Sequence, residues 1–69
     1  MNDVIVCGYG VIGKRIAFAL KKHQISFIAI DLQTPISDES LPFLQGDATS
    51  EDILKKAGVK EAKTIVAAT

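Results

Sequence analysis

The sequence predicts an α/β fold: a four-stranded parallel sheet in the order 3-2-1-4 with one helix on each face. Three observations predict it. Short apolar, β-branched runs without polar alternation recur along the chain, as strands buried on both faces require. Segments with helical spacing lie between them, and strands that alternate with helices pair in parallel through right-handed crossovers. The first run also ends directly in Gly8-Tyr9-Gly10-Val11-Ile12-Gly13, a glycine turn between a strand and a helix. Together these give half of a doubly wound, Rossmann-like sheet.

Val4-Ile5-Val6-Cys7 is the first strand and stops at Gly8. From Val11 the period becomes helical: Ile12, Ile16 and Leu20 share one face, joined by Ala19, and Lys14, Arg15, Lys21 and Lys22 lie off it. This helix should end near His23-Gln24. Residues 26–30 form the second strand, closed by Asp31. Residues 32–41 have no clear period and contain Pro35, which predicts a loop with one helical turn at 37–41. Phe43-Leu44-Gln45 is a brief third strand before Gly46-Asp47-Ala48-Thr49. Thr49 with Asp52, or Ser50 alone, can cap the second helix. That helix buries Ile53, Leu54 and Ala57, places Lys55 and Lys56 at its C-terminal end and stops at Gly58. Residues 64–69 are the fourth strand. One helix cannot cover a face of four strands, so apolar sheet is expected to stay bare for a second copy or for sequence absent here.

Composition bounds the function. With 69 residues the chain is one domain, too short to be more than marginally stable unaided. One Cys and one His exclude an internal disulfide and a structural zinc site, which makes oligomerisation, or a missing remainder of the protein, the expected support. Eight basic and eight acidic residues cancel, so the basic stripe that nucleic acid requires is missing. The longest apolar run, Ile16 to Leu20, is five residues, against the roughly 20 that cross a bilayer. No apolar leader follows Asp3. The chain reads as cytoplasmic.

The glycine turn carries the chemistry. Gly8 permits the tight exit from the strand, Gly10 lets a pyrophosphate approach the backbone, and Gly13 lets the helix lie close on the sheet. The unpaired amides of the helix's first turn then face the anion at the positive end of the dipole. Asp31, about 20 residues on and at the end of the second strand, can accept hydrogen bonds from ribose hydroxyls. A 2′-phosphate would meet that carboxylate as a like charge, and Leu32 rather than Arg follows it, so NADP is disfavoured. The alternative is a tight strand–helix turn that binds nothing.

At this point the residues resemble a known family. The stretches Val4 to Gly10, Gly46-Asp47-Ala48-Thr49, Ile53 to Val59 and the closing Ile65-Val66-Ala67-Ala68-Thr69 together are similar to the N-terminal subdomain of regulator-of-potassium-conductance domains (RCK, also called TrkA-N). The likeness runs from about Asp3 to Thr69 but covers only the first part of the family's domain, so the chain, residues 1–69, is expected to be cut at the end of strand 4.

The resemblance implies a cytosolic regulatory module of a potassium channel or transporter, on the cytosolic face of the membrane, and no enzyme. Its implied partners are an adenine nucleotide, a homodimer or larger RCK ring, and a membrane subunit or domain. The implied ligands are NAD or NADH, or else ATP, ADP or AMP. Carried onto this chain, Gly8, Tyr9, Gly10, Val11, Ile12 and Gly13 would hold phosphates and Asp31, followed by Leu32, the ribose. Asp47, Ala48 and Thr49 would border the adenine, and Ala68 and Thr69 would touch the middle of the ligand. The segment between Asp31 and Phe43 departs from the family, being short and Pro-broken where many members have a full helix.

Some residues keep two readings. Asp47 contacts adenine or stabilises the start of the second helix. Tyr9 stands over the ligand or caps the loop. Cys7 reads as a small packed hydrophobe, and His23 as an imidazole favoured by a helix C-terminus. The competing function is the cofactor half of an NAD-dependent oxidoreductase. It would need a proton donor and a substrate pocket, and residues 1–69 supply no His, Lys or Tyr in such a setting.

Overall fold

One of the two inner strands is β1 (Val4–Cys7), whose Ile5 and Val6 are wholly buried on opposite faces of the sheet. The structure is a computed structural model that describes residues 2–33 and 42–68. After β1 come α1 (Val11–Lys22), β2 (Phe27–Asp31), β3 (Phe43–Gln45), α2 (Glu51–Ala57) and β4 (Thr64–Ala67). The sheet order is β3-β2-β1-β4 and every pairing is parallel, as expected. Val4 lies opposite Phe27 on one side and Thr64 on the other.

The sheet separates two apolar clusters, one under each helix. Val6, Phe27, Ala29 and Ala68 pack with Ala17 of α1, and Ile5 and Ile30 pack with Ala57 of α2. Burying a side chain such as Ile5, Val6 or Ile30 contributes about 1.5–3 kcal/mol relative to leaving it exposed. Part of the apolar surface does stay open: Ile65, in register with Ile5 and therefore on the α2 side, is 50% exposed.

α1 departs from the expected face. Gly13 and Ala17 are its buried residues, Ile16 and Leu20 are partly buried, and Ile12 is 62% exposed. With no side chain at Gly13 the helix closes on the sheet along the line of Gly13 and Ala17. Ile12, one residue earlier, is thereby turned about 100° away.

Both helices end in the same pair of backbone bonds. Gln24 N–H donates to Lys21 O at 3.1 Å and Ile25 N–H to Leu20 O at 2.9 Å. At the other helix Gly58 N–H donates to Lys55 O at 3.1 Å and Val59 N–H to Leu54 O at 3.0 Å. This Schellman pattern needs a left-handed residue, and Gly58 (φ 87) and Gln24 (φ 58) supply it. The helical turn expected at 37–41 lies outside the described residues, as does Thr69.

Candidate functional site

At the C-terminal end of the sheet β1 is held from both sides. Gly8 N–H donates to Ile30 O and Ala68 N–H donates to Cys7 O, both at 2.8 Å. Gly8 is left-handed (φ 102) and turns the chain sharply toward α1. Tyr9 follows, and its N–H donates to Asp31 Oδ2 at 2.6 Å. Gly10 is the N-cap of α1 in an extended conformation, and a Cβ built there would meet nothing within 4 Å. A Cβ at Gly13 would lie 2.1 Å from the Gly8 oxygen.

The N-terminus of α1 is left uncompensated by the helix itself. No side chain caps it, its first turn carries no acid, and its first helical bond is Lys14 N–H to Gly10 O at 2.9 Å. Its leading amides and the positive end of its dipole are thus available to an anion approaching over Gly10. The contrast with α2 is direct, since that helix begins with Glu51 and Asp52.

Asp31 ends β2 beside this turn. Its Oδ2 holds the Tyr9 amide, its Oδ1 accepts from Gln33 N–H at 3.2 Å, and its carbonyl accepts from Gly46 N–H at 2.8 Å. The Tyr9 amide first, and the Gln33 amide after it, hold the Asp31 carboxyl below the usual carboxylate range. Leu32, 65% exposed, has its carbonyl bonded by Gln45 Nε2 at 3.0 Å. Asp47 Oδ1 accepts both Thr49 Oγ1 at 2.7 Å and Thr49 N–H at 2.8 Å. The hydroxyl first and the amide second hold the Asp47 carboxyl down as well.

A cleft of about 180 Å³ joins these groups, lined by Gly8, Ile30, Asp31, Leu32, Gly46, Asp47, Ala48 and Thr49. Six of the expected site residues therefore meet in it, and Tyr9, Gly10, Val11, Ile12 and Gly13 follow from Gly8 along the turn and the helix start. Ala68 instead packs on the α1 side, its Cβ 3.7 Å from where a Cβ of Gly13 would stand. Sequence reasoning missed Ile30 and Gly46 as cleft walls. The signal for Gly46 was its place directly before Asp47, and a Cβ there would come within 2.4 Å of Ile53 Cδ1.

The neighbouring side chains bear on the remaining readings. The Tyr9 ring meets Phe43 edge-on at 5.9 Å and 76°, and Lys14 Nζ lies 5.9 Å from its centroid. Ser50 takes the N-cap position of α2 without a side-chain bond, and the pair Asp47–Thr49 orders the approach to that helix instead. Burial pushes the Cys7 thiol up, in keeping with a packed side chain rather than a reactive thiolate. Among the described residues no three His, Cys, Asp or Glu side chains gather as a metal site, and no helix is long and apolar enough to cross a membrane.

The family model described as the TrkA-N domain matches residues 4–69. Potassium channel protein 1 of Methanocaldococcus jannaschii is 44% identical over 94% of this chain and 21% of its own length. K(+) efflux antiporter 1, chloroplastic, of Arabidopsis thaliana is 36% identical over 97% of this chain and 6% of its own. The chain thus spans about a fifth or less of these curated relatives. Among solved structures, GsuK bound to ADP superposes with a TM-score of 0.84 at 32% identity, covering 96% of this chain and 18% of that one. The Kef C-terminal domain of Shewanella denitrificans in its AMP-bound form gives 0.80 at 31% identity, covering 93% of this chain and 39% of that one.

Proposed function

Because the chain belongs to the TrkA-N domain family, we propose that it is the nucleotide-binding N-terminal part, residues 1–69, of a regulatory domain that controls potassium transport through a channel or transporter. One observation carries this reading. An acid-free, uncapped helix start lies beside a strand-end carboxylate and a cleft, which suits an anionic phosphate joined to a sugar. The AMP and ADP in the two similar structures support an adenine nucleotide as the ligand.

In this reading the turn Gly8–Gly13 holds phosphates, Asp31 and Leu32 meet the ribose, and Asp47, Ala48 and Thr49 border the base. Ala68, directly after β4, touches the middle of the ligand. The cleft is smaller than the roughly 300–1,000 Å³ of pockets that enclose drug-sized ligands. It suits the nucleoside part, with the phosphates outside it over Gly10. AMP, ADP, ATP and NAD(H) share that part; NADP is disfavoured by the charge of Asp31.

The module is a sensor on the cytosolic side of the membrane rather than a catalyst, and works in a dimer or larger ring. Its ligand changes transport by binding one shape of that assembly more tightly than another. The test is calorimetric titration with NAD, NADH, NADP, ATP, ADP and AMP against wild type and Asp31→Ala. Binding of an adenine nucleotide, weakened about tenfold or more by the substitution, is expected. Preference for NADP, or no binding at millimolar concentration, overturns the reading.

A further inference from the structure

Asp31 reaches the glycine turn as well as the place assigned above to the ribose. The peptide unit between Gly8 and Tyr9 is fixed at both ends. Its N–H donates to Asp31 Oδ2 at 2.6 Å, and its C=O lies against α1, where the oxygen would be 2.1 Å from a Cβ of Gly13. N–H and C=O of a trans peptide point in opposite directions. A flipped peptide would therefore aim the Gly8 oxygen at the carboxylate, oxygen against anion. The carboxylate has a firm base for this role. Its own carbonyl is tied to Gly46, Gly8 N–H is tied to Ile30, and Oδ1 is tied to Gln33.

We propose that Asp31 is a positioning residue for the phosphate half of the site: by holding the Tyr9 amide it fixes the Gly8–Tyr9 peptide and so sets the glycine turn and the first amides of α1. This rests on the nucleotide-site reading and deepens it, because one carboxylate then couples the ribose and phosphate subsites.

The probe is inorganic pyrophosphate, which has no ribose, titrated into wild type, Asp31→Ala and Asp31→Asn. If Asp31 served the ribose alone, removing its negative charge near an anion would leave pyrophosphate binding unchanged or tighter. The positioning role predicts the opposite sign. Asp31→Ala loses about tenfold or more, the lower end of what a charge-assisted hydrogen bond contributes. Asp31→Asn, which keeps an acceptor oxygen for the amide, retains most of the affinity. Amide hydrogen exchange supplies the second readout: the Tyr9 amide should exchange faster in Asp31→Ala while amides in the middle of β1 keep their protection. Asp31→Ser, whose side chain is too short to reach the amide, serves if Asp31→Ala does not fold. Unchanged or tighter pyrophosphate binding in Asp31→Ala overturns the proposal, as does unchanged Tyr9 exchange. If wild type binds neither pyrophosphate nor ADP, the nucleotide reading falls and the Tyr9 exchange alone decides whether Asp31 holds the turn.

Discussion

Gly13 and Gly8 touch so closely that a Cβ on the first would stand 2.1 Å from the carbonyl oxygen of the second. Helix propensity alone says that Gly13→Ala should stabilise α1 by about 1 kcal/mol. The contact says the reverse, because backbone cannot yield as a flexible side chain does. We expect a net loss of about 1–3 kcal/mol as α1 is pushed off the sheet, read as a lower midpoint in urea denaturation.

Gly10 behaves oppositely. Its φ of −85 suits any L-residue and a Cβ there meets nothing. Gly10→Ala should keep the wild-type urea midpoint but place a methyl where the phosphates would approach. ADP affinity is expected to fall about tenfold or more, equivalent to ~1.4 kcal/mol, in the calorimetric titration.

The two helix ends supply a matched pair. Gln24 adopts at the end of α1 the left-handed conformation that Gly58 adopts at the end of α2, and a side chain there costs about 1–2 kcal/mol. Gln24→Gly should raise stability by up to about 1 kcal/mol and Gly58→Ala should lower it by a similar amount. Thermal denaturation of both variants checks the opposite signs.

Acid sensitivity follows from the two carboxylates. Asp31, held by the Tyr9 amide foremost, and Asp47, held by the Thr49 hydroxyl foremost, both have lowered pKa values in the folded chain. A lowered folded value means stability that is full above the unfolded Asp value and lost as the pH falls through the folded one. The urea midpoint should therefore be flat near neutrality and decline below the ordinary Asp range. Asp31→Asn should start lower at neutral pH and decline less steeply.

Much of the fold was legible because its signals are local. Unalternated apolar runs marked β1, β3 and the core of β2, and Gly58 marked the end of α2. The observed β2 begins at Phe27, one residue later than expected, although the Ser26 carbonyl still accepts the Asp3 and Val4 amides at 3.1 and 3.2 Å. The face of α1 was legible in part: Ile16 and Leu20 pack on the core as expected, but Ile12 and Ala19 are exposed, because periodicity counts apolar side chains whereas contact follows the closest backbone approach, which Gly13 decides. In the candidate site, residue types and spacing pointed to Gly8, Gly10 and Asp31. The Asp31–Tyr9 bond was not legible, for it depends on the register that brings the end of β2 beside the turn after β1. Nor did the sequence separate the roles of Ser50 and Asp47, two polar residues near one helix start that only geometry tells apart.

The pairing of Val4 with Thr64 has a kinetic consequence. β1 is made before the other strands of this sheet, yet one of its two edges gains its partner only when β4, the last of these four, has been made. Until then the backbone groups along that edge of Val4–Cys7 are open to water or to another nascent chain. Contacts so distant in sequence close slowly. The exit from β1 into the glycine turn, which Ala68 helps to hold through Cys7, is therefore among the last features of this sheet to mature.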